Sequence, residues 1–408
     1  YKEACAEDLH LDLSRGKPNR EQLELSMDMF DILNSKSTLD TADGTDCRNY
    51  GVLTGIPEAK TLLGDIMNTN PKNVIVGGNS SLTIMYDIIT HGMLDGIMGE
   101  KPWSQIPDRK FLCVVPGYDR HFNMTEHFGF QLISIPMLED GPDMDQIREW
   151  VEKDPTVKGI WCVPRYSNPT GTVYSREVIE EFANLKPAAQ DFRIFWDNAY
   201  VVHVLYSSES SQYPDILEIA EKAGNPDIVY EFCSTSKMSF PGGGIAGVAA
   251  SPANRIDIES FLKYAMICTD KINQIRQARY FSSHNKIRRH MLKEASILRP
   301  KFEITEKMLE EGLDGLGIGD WTCPKGGYFI SFNTLPGLAD RVVELCHNAG
   351  VKLTGAGATF PYGKDPENRN IRIAPSFAEL TEIKTAMHLL TVAVRIASLE
   401  SMDEDKAD

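Results

Sequence analysis

From about residue 74 to 250, short apolar runs alternate with longer segments in which apolar positions recur every three to four residues. The short runs read as buried strands and the longer ones as amphipathic helices. The pattern predicts strands at Asn73 to Val76, Lys110 to Val115, Phe130 to Ile135, Gly159 to Val163, Phe192 to Trp196, Ile228 to Cys233 and Ile245 to Ala250. Helical patterns fall between most of them, as at Leu82 to Met93 and Arg176 to Asn184. Strands alternating with helices predict an α/β fold, a mostly parallel sheet with helices on both faces.

The remaining pattern differs. Residues 253–314 read as long helices, followed by a strand at Tyr328 to Phe332, a helix near Leu338 to Asn348, a strand near Ile371 to Ala374 and a last helix from about Ala378 to Ser398. This predicts a smaller α+β domain. The expected division is an N-terminal segment, 1–45, joining the small domain, a large domain over 46–295, and a small C-terminal domain over 296–408.

The net charge is −16, which speaks against nucleic acid as a partner, because phosphate contacts need clustered Lys and Arg. The one short basic cluster, Lys286-Ile287-Arg288-Arg289-His290, lies in a helical pattern and reads as a solvated face. Eight cysteines stand singly, with no paired or metal-ligand spacing, and point to a reduced, cytoplasmic protein. No apolar run approaches the roughly 18 residues of a membrane helix, and no signal-peptide pattern is seen.

In open parallel sheets, ligands bind at the carboxyl ends of the strands, so the residues that follow each strand carry the functional reading. Gly77-Gly78-Asn79-Ser80-Ser81 opens a helix after the first strand; it suits an anion site or ordinary N-capping. Tyr118 follows the second strand, as a ring to stack on a flat ligand or as packing. Ser167-Asn168-Pro169-Thr170-Gly171 forms a tight turn with an amide before it. Asp197 ends an apolar run, where a carboxylate is costly unless it meets a cation. Ser234-Thr235-Ser236-Lys237 sets a lysine among hydroxyls. An anion cradle, an aromatic, an amide, a carboxylate and a lysine together meet the needs of a phosphorylated, nitrogen-containing aromatic aldehyde.

The series Tyr50…Gly55-Ile56-Pro57, Gly78-Asn79-Ser80, Tyr118, Asn168-Pro169-Thr170-Gly171, Asp197-x-Ala199-Tyr200, Ser234-x-x-Lys237 and Ile371-Arg372-Ile373 resembles the class I aminotransferases of the pyridoxal-phosphate fold type I. The resemblance runs from about residue 12 to 390. It implies pyridoxal 5'-phosphate as cofactor and transamination between an L-amino acid and a 2-oxo acid as activity. Lys237 would be the covalent anchor of the cofactor and the acid and base that moves the substrate proton. Asp197 would pair with the pyridinium nitrogen, and Asn168 and Tyr200 would bond the ring hydroxyl. Tyr118 would stack on the ring. Asn79, Ser80, Ser81, Ser234 and Ser236 would hold the phosphate. Tyr50 would reach the phosphate of a neighbouring subunit, which implies a homodimer with shared sites. Arg372 would clamp the substrate α-carboxylate, with Asn168 close by.

One departure stands out. Relatives carry a phosphate-binding arginine about eight residues after the lysine, where this chain has Ile245, following Gly242-Gly243-Gly244. A helix terminus contributes only about 0.3–2 kcal/mol, so another group is expected to contribute. This departure, with Leu13-Ser14-Arg15-Gly16-Lys17-Pro18 and Asp270-Lys271-Ile272-Asn273-Gln274-Ile275-Arg276, is similar to a divergent bacterial aspartate aminotransferase subgroup related to the aminotransferase domain of MocR-type regulators. It implies aspartate and 2-oxoglutarate as substrates. Arg15 and Gly16 would then line the substrate entrance, and Lys271 or Arg276 would meet a side-chain carboxylate; the alternative for each charge is a solvated surface position. Aromatic or alanine transamination and β-lyase chemistry use the same core residues. A cofactor-binding regulator would need a winged-helix domain, and the Ser14-Arg15-Gly16 element begins only 14 residues in.

Overall fold

The computed structural model describes residues 1–209 and 212–404. Among them the strands, in chain order, are β1 (Leu11–Asp12), β2 (Val74–Val76), β3 (Lys110–Val115), β4 (Gln131–Pro136), β5 (Val157–Cys162), β6 (Arg193–Asp197), β7 (Val229–Ser234), β8 (Ala246–Ala249), β9 (Gly319–Trp321), β10 (Ile330–Thr334), β11 (Val351–Lys352) and β12 (Asn370–Ile373). Strands β2 to β8 form one seven-stranded sheet in the order β2-β8-β7-β6-β5-β3-β4. The β4, β3, β5, β6 and β7 neighbours all pair in parallel.

Strand β8 is the exception, antiparallel to both β7 and β2. Only residues 235–245 link it to β7. A parallel return needs a crossover of a dozen or more residues, so this short link turns the chain back on itself. The turn contains Lys237 and the glycine triplet.

The sheet is buried on both faces, and its side chains alternate accordingly. Along β3, Leu112 and Val114 enter the core built by the helices Pro57–Met67, Met144–Lys153, Arg176–Ala183 and Ile216–Lys222. Phe111, Cys113 and Val115 enter the opposite core, under Ser81–Leu94 and Pro252–Ala265. Asp119–His127 is a helix that the apolar pattern does not announce: only His121, Phe122 and Thr125 of its nine residues are buried.

A third core gathers β10, β12, the helices Ala339–Asn348 and Leu380–Glu404, and Leu13 from the N-terminal segment. Strand β10 pairs antiparallel with β12 and β9, and β1 pairs in parallel with β11. The expected boundary at 295/296 falls inside one continuous helix, His284–Leu313. Its Ile287 and Met291 pack into the first core, its Leu298 and Phe302 into the third. Strand β10 starts two residues later than the apolar run, at Ile330. Gly326 bridges to Val204 instead, and Gly327, at φ +83°, donates to the His203 carbonyl at 2.8 Å.

Phe195, at the centre of β6, is fully buried among Phe111, Trp161, Tyr230 and Phe232, with ring centroids 4.8–5.7 Å away. Phe195→Ala is expected to destabilise the fold by about 3–5 kcal/mol, read as a lowered midpoint of urea unfolding. A midpoint unchanged from the parent chain would show that this aromatic core does not hold the sheet.

Candidate active site

The carboxyl ends of β2, β3, β5, β6 and β7 point the same way, and the residues after them touch one another. Asp197, the last residue of β6, is buried. Its Oδ2 lies 3.1 Å from His121 Nε2, while its buried Oδ1 has no hydrogen-bond partner among the described residues. The His121 ring stacks on Trp161 with centroids 4.3 Å apart, and Tyr118 meets His121 edge-on at 4.9 Å. Lys237 Nζ lies 4.6 Å from the centre of the Tyr200 ring. No carboxylate, hydroxyl or carbonyl bonds to that amine among the described residues.

Beside the lysine, Ser234 Oγ donates to Ser236 Oγ at 2.8 Å and accepts from the Ser236 amide at 2.9 Å. Ser236 Oγ in turn donates to the Asn79 carbonyl at 2.7 Å. Gly244 lets these parts approach: a Cβ there would stand 2.9 Å from Ser236 N, Cα and Oγ. Ser80 is the N-cap of the helix Ser81–Leu94, yet its hydroxyl makes no capping bond. At the far side, Arg372 on β12 reaches in from the smaller sheet and contacts Asn168 Oδ1 at 3.4 Å and Asp119 Oδ1 at 3.0 Å. Gly16 lies so close to Phe329 that a Cβ would come within 2.4 Å of its ring, and that ring underlies the Arg372 guanidinium at 4.9 Å. Arg15 beside it is exposed.

The family model described as aspartate amino-transferase matches residues 1–406. The chain belongs to this family. It is 43% identical over 401 residues to an aspartate aminotransferase of Corynebacterium glutamicum, covering 98% of this chain and 92% of the relative. A crystal structure of an aspartate transaminase from Corynebacterium glutamicum superposes with a TM-score of 0.95 at 43% identity, over 98% of this chain and 94% of that one. The α-aminoadipate aminotransferase LysN of Thermus thermophilus, complexed with N-(5'-phosphopyridoxyl)-L-leucine, shares the fold at 19% identity, with a TM-score of 0.76 over 96% of this chain and 93% of that one. The protein is an aminotransferase with the pyridoxal-phosphate fold type I architecture. No helix among the described residues is long and apolar enough to cross a membrane.

The aminotransferase has the donors and acceptors that a phosphorylated pyridine aldehyde requires. The unpartnered Oδ1 of Asp197 is a buried acceptor for a ring N–H. Lys237 offers an unengaged amine, and the Ser80 hydroxyl and the start of its helix offer donors to an anion. Burial pushes the Tyr118 hydroxyl up to about 12 and raises that of Tyr200 as well, so both are neutral donors near pH 7. Burial, and then the charge of Lys237, push His203 down to about 3, so its imidazole is neutral.

Several residues named from sequence sit differently from expectation. The Asn79 side chain donates to the Pro241 carbonyl at 3.2 Å, tying two loops together. Lys271 is neither a surface charge nor a free cation: it is buried and donates to the Gly51 carbonyl at 2.9 Å. Tyr50, next to that carbonyl, is 78% exposed. Ile245 is buried in the core, so no side chain at that position faces a ligand. Arg276 lies beside the triplet instead: its Nη2 is 3.4 Å from where a Gly243 Cβ would be and donates to Asn273 Oδ1 at 2.6 Å. No carboxylate pairs with Arg276 among the described residues.

Sequence reasoning missed His121, although a histidine three positions after Tyr118 on the same helix start was the available signal. It also missed a buried network behind the lysine, for which the pattern offers none. Tyr328 Oη donates to the Lys237 carbonyl at 3.4 Å, and Gln22 Nε2 donates to Tyr328 Oη at 3.0 Å and to Glu294 Oε2 at 2.6 Å. His290 Nε2 lies 2.6 Å from the Met238 carbonyl. The N-terminal segment, the long helix and the stretch leading into β10 thus grip the turn that carries Lys237.

Burial pushes the Glu294 carboxyl up from 4.5 to about 8. The folded protein therefore holds one proton more than the unfolded chain between those values, and this contribution to stability falls as pH rises through that window. Glu294→Gln removes the titration. Its melting temperature relative to the parent is expected to be more favourable at pH 8 than at pH 5. Parallel melting curves across that range would refute the buried neutral carboxyl.

Proposed function

We propose that this aminotransferase transfers the amino group of L-aspartate to 2-oxoglutarate, with pyridoxal 5'-phosphate held by the residues above. The reading is carried by the buried, unpartnered Oδ1 of Asp197 beside the unengaged amine of Lys237. The full-length likeness to a relative named aspartate aminotransferase supports aspartate as donor.

When bound, the cofactor supplies an aldehyde carbon for amine exchange and an electron-accepting ring. Asp197 would keep the ring nitrogen protonated, with His121 fixing the carboxylate from its other oxygen. Tyr118 would lie against the ring. Asn168 and the neutral Tyr200 would orient its oxygen substituent. Ser80, Ser81, Ser234 and Ser236 would hold the phosphate together with the N-terminus of Ser81–Leu94. Arg276, across the bare glycine triplet, is the nearby cation that would offset its charge.

Arg372 would hold the substrate α-carboxylate and so set Cα near Lys237. The lysine amine, free of partners, would take the proton from Cα as a base and give it up again as the acid that completes the amino-group transfer. Arg15 at the entrance is the exposed cation suited to the side-chain carboxylate of aspartate. Tyr50 and Gly51, anchored by Lys271, would extend to a second copy of the chain, giving a homodimer in which Tyr50 completes the partner subunit's site.

Mixed with L-aspartate alone, the loaded enzyme is expected to change its visible absorbance and release one equivalent of oxaloacetate. Alanine or an aromatic amino acid changing the spectrum while aspartate leaves it untouched would overturn the substrate assignment. Lys237→Ala is expected to lower kcat by at least about 10²–10⁴-fold; turnover near that of the parent would remove Lys237 from the mechanism.

A further inference from the structure

The guanidinium of Arg372 is engaged unevenly. Arg372 is 8% exposed. Its Nη1 donates to Asp119 Oδ1 at 3.0 Å and lies 3.4 Å from Asn168 Oδ1. Its Nη2 makes one long contact, 3.4 Å to Thr354 Oγ1, and Thr354 Oγ1 itself donates to the Ser14 carbonyl at 2.8 Å. Its Nε is buried with no hydrogen-bond partner among the described residues. The Phe329 ring covers one flat face.

A guanidinium binds a carboxylate through two parallel N–H groups, taken from Nη1 with Nη2 or from Nη2 with Nε. Asp119 occupies the Nη1 end, so the edge left for a second carboxylate is Nη2 with Nε.

We propose that Asp119 is a positioning residue for the carboxylate clamp: it holds the Nη1 end of Arg372 so that the Nε–Nη2 edge is presented to the α-carboxylate of the amino acid. This rests on the assignment of Arg372 as that clamp. Asp119 is well placed for the task. It is the first residue of the helix Asp119–His127, where a negative charge is favoured by the helix dipole. It also directly follows Tyr118, so one rigid stretch of backbone sets both the ring-facing tyrosine and the orientation of the arginine. A carboxylate at 3.0 Å also offsets part of the arginine charge before any substrate arrives.

The test compares Asp119→Ala, Asp119→Asn and Arg372→Ala in the cofactor-loaded enzyme. The readouts are the calorimetric Kd of maleate, an unreactive dicarboxylate, and the KM and kcat for L-aspartate. Loss of a hydrogen bond to a charged group is worth about 10–100-fold in binding. Asp119→Ala is expected to weaken maleate by about that factor and to raise KM in step, with kcat changed less than about threefold, whereas a merely structural defect would lower kcat and cofactor occupancy together. Asp119→Asn, which keeps an oxygen at the same place, is expected to restore most of the affinity, and Asp119→Ser, too short to reach Nη1, takes the place of the alanine variant if that one does not fold. Maleate binding that is unchanged or tighter in Asp119→Ala, or in the serine variant that replaces it, would overturn the proposal, because Asp119 would then be idle or a competitor for Arg372. Arg372→Ala separates the two ideas: maleate binding as in the parent would sink the clamp assignment itself, whatever Asp119 does.

Discussion

A carboxylate at the buried end of a central strand is the constraint around which this site is arranged. Asp197 closes β6, flanked by the parallel strands β5 and β7, where an ionised group without partners would cost several kcal/mol. His121 meets one oxygen, and the stack of His121 on Trp161 holds that partner still. The other oxygen is left bare in a site where Lys237, Tyr118, Tyr200 and Asn168 converge. A protein that spends burial on an unsatisfied acceptor needs a ligand that satisfies it, and a protonated pyridine nitrogen would do so.

The sheet supplies the convergence. Five strands that run the same way, β2, β3, β5, β6 and β7, deliver their carboxyl ends to one edge, and each following loop contributes one kind of chemistry. Strand β8 then reverses direction because the link from β7 is short. That reversal folds residues 235–245 into a tight turn, so Lys237 and the glycine triplet share one small loop. The loop is held from behind by Tyr328, Gln22, Glu294 and His290, which belong to three distant parts of the chain. Domain-scale packing and the placement of one amine are thus parts of the same arrangement.

The smaller sheet contributes the opposite wall. Arg372 enters on β12, buttressed by Phe329 below and by Asp119 at its end. Gly16 allows the N-terminal segment to pass against Phe329, which brings Arg15 to the rim. In this way the Arg372 side of the site is assembled from segments near both ends of the chain, while the Asp197 and Lys237 side is drawn from the middle.

Much of this was legible in the sequence. The strand ends and the motifs after them, Asn168-Pro169-Thr170-Gly171, Asp197-x-Ala199-Tyr200 and Ser234-x-x-Lys237, identified the family and the chemistry, because strand periodicity is local and the chemistry lies at fixed offsets from it. Several things were not legible. His121, Asp119, Glu294 and Gln22 read as ordinary polar positions on helices, since burial of a polar residue depends on what packs over it from far along the chain. Lys271 read as a partner for a side-chain carboxylate or as a surface charge, and it is buried and bonded to the Gly51 carbonyl; the Asn79 side chain bonds the Pro241 carbonyl. The local pattern of side chains thus determined the elements and the reactive groups they end on. Only the tertiary structure decided which of those groups are left without partners, because an unpaired oxygen on Asp197 or a bare Nε on Arg372 exists only once every neighbouring segment has taken its place.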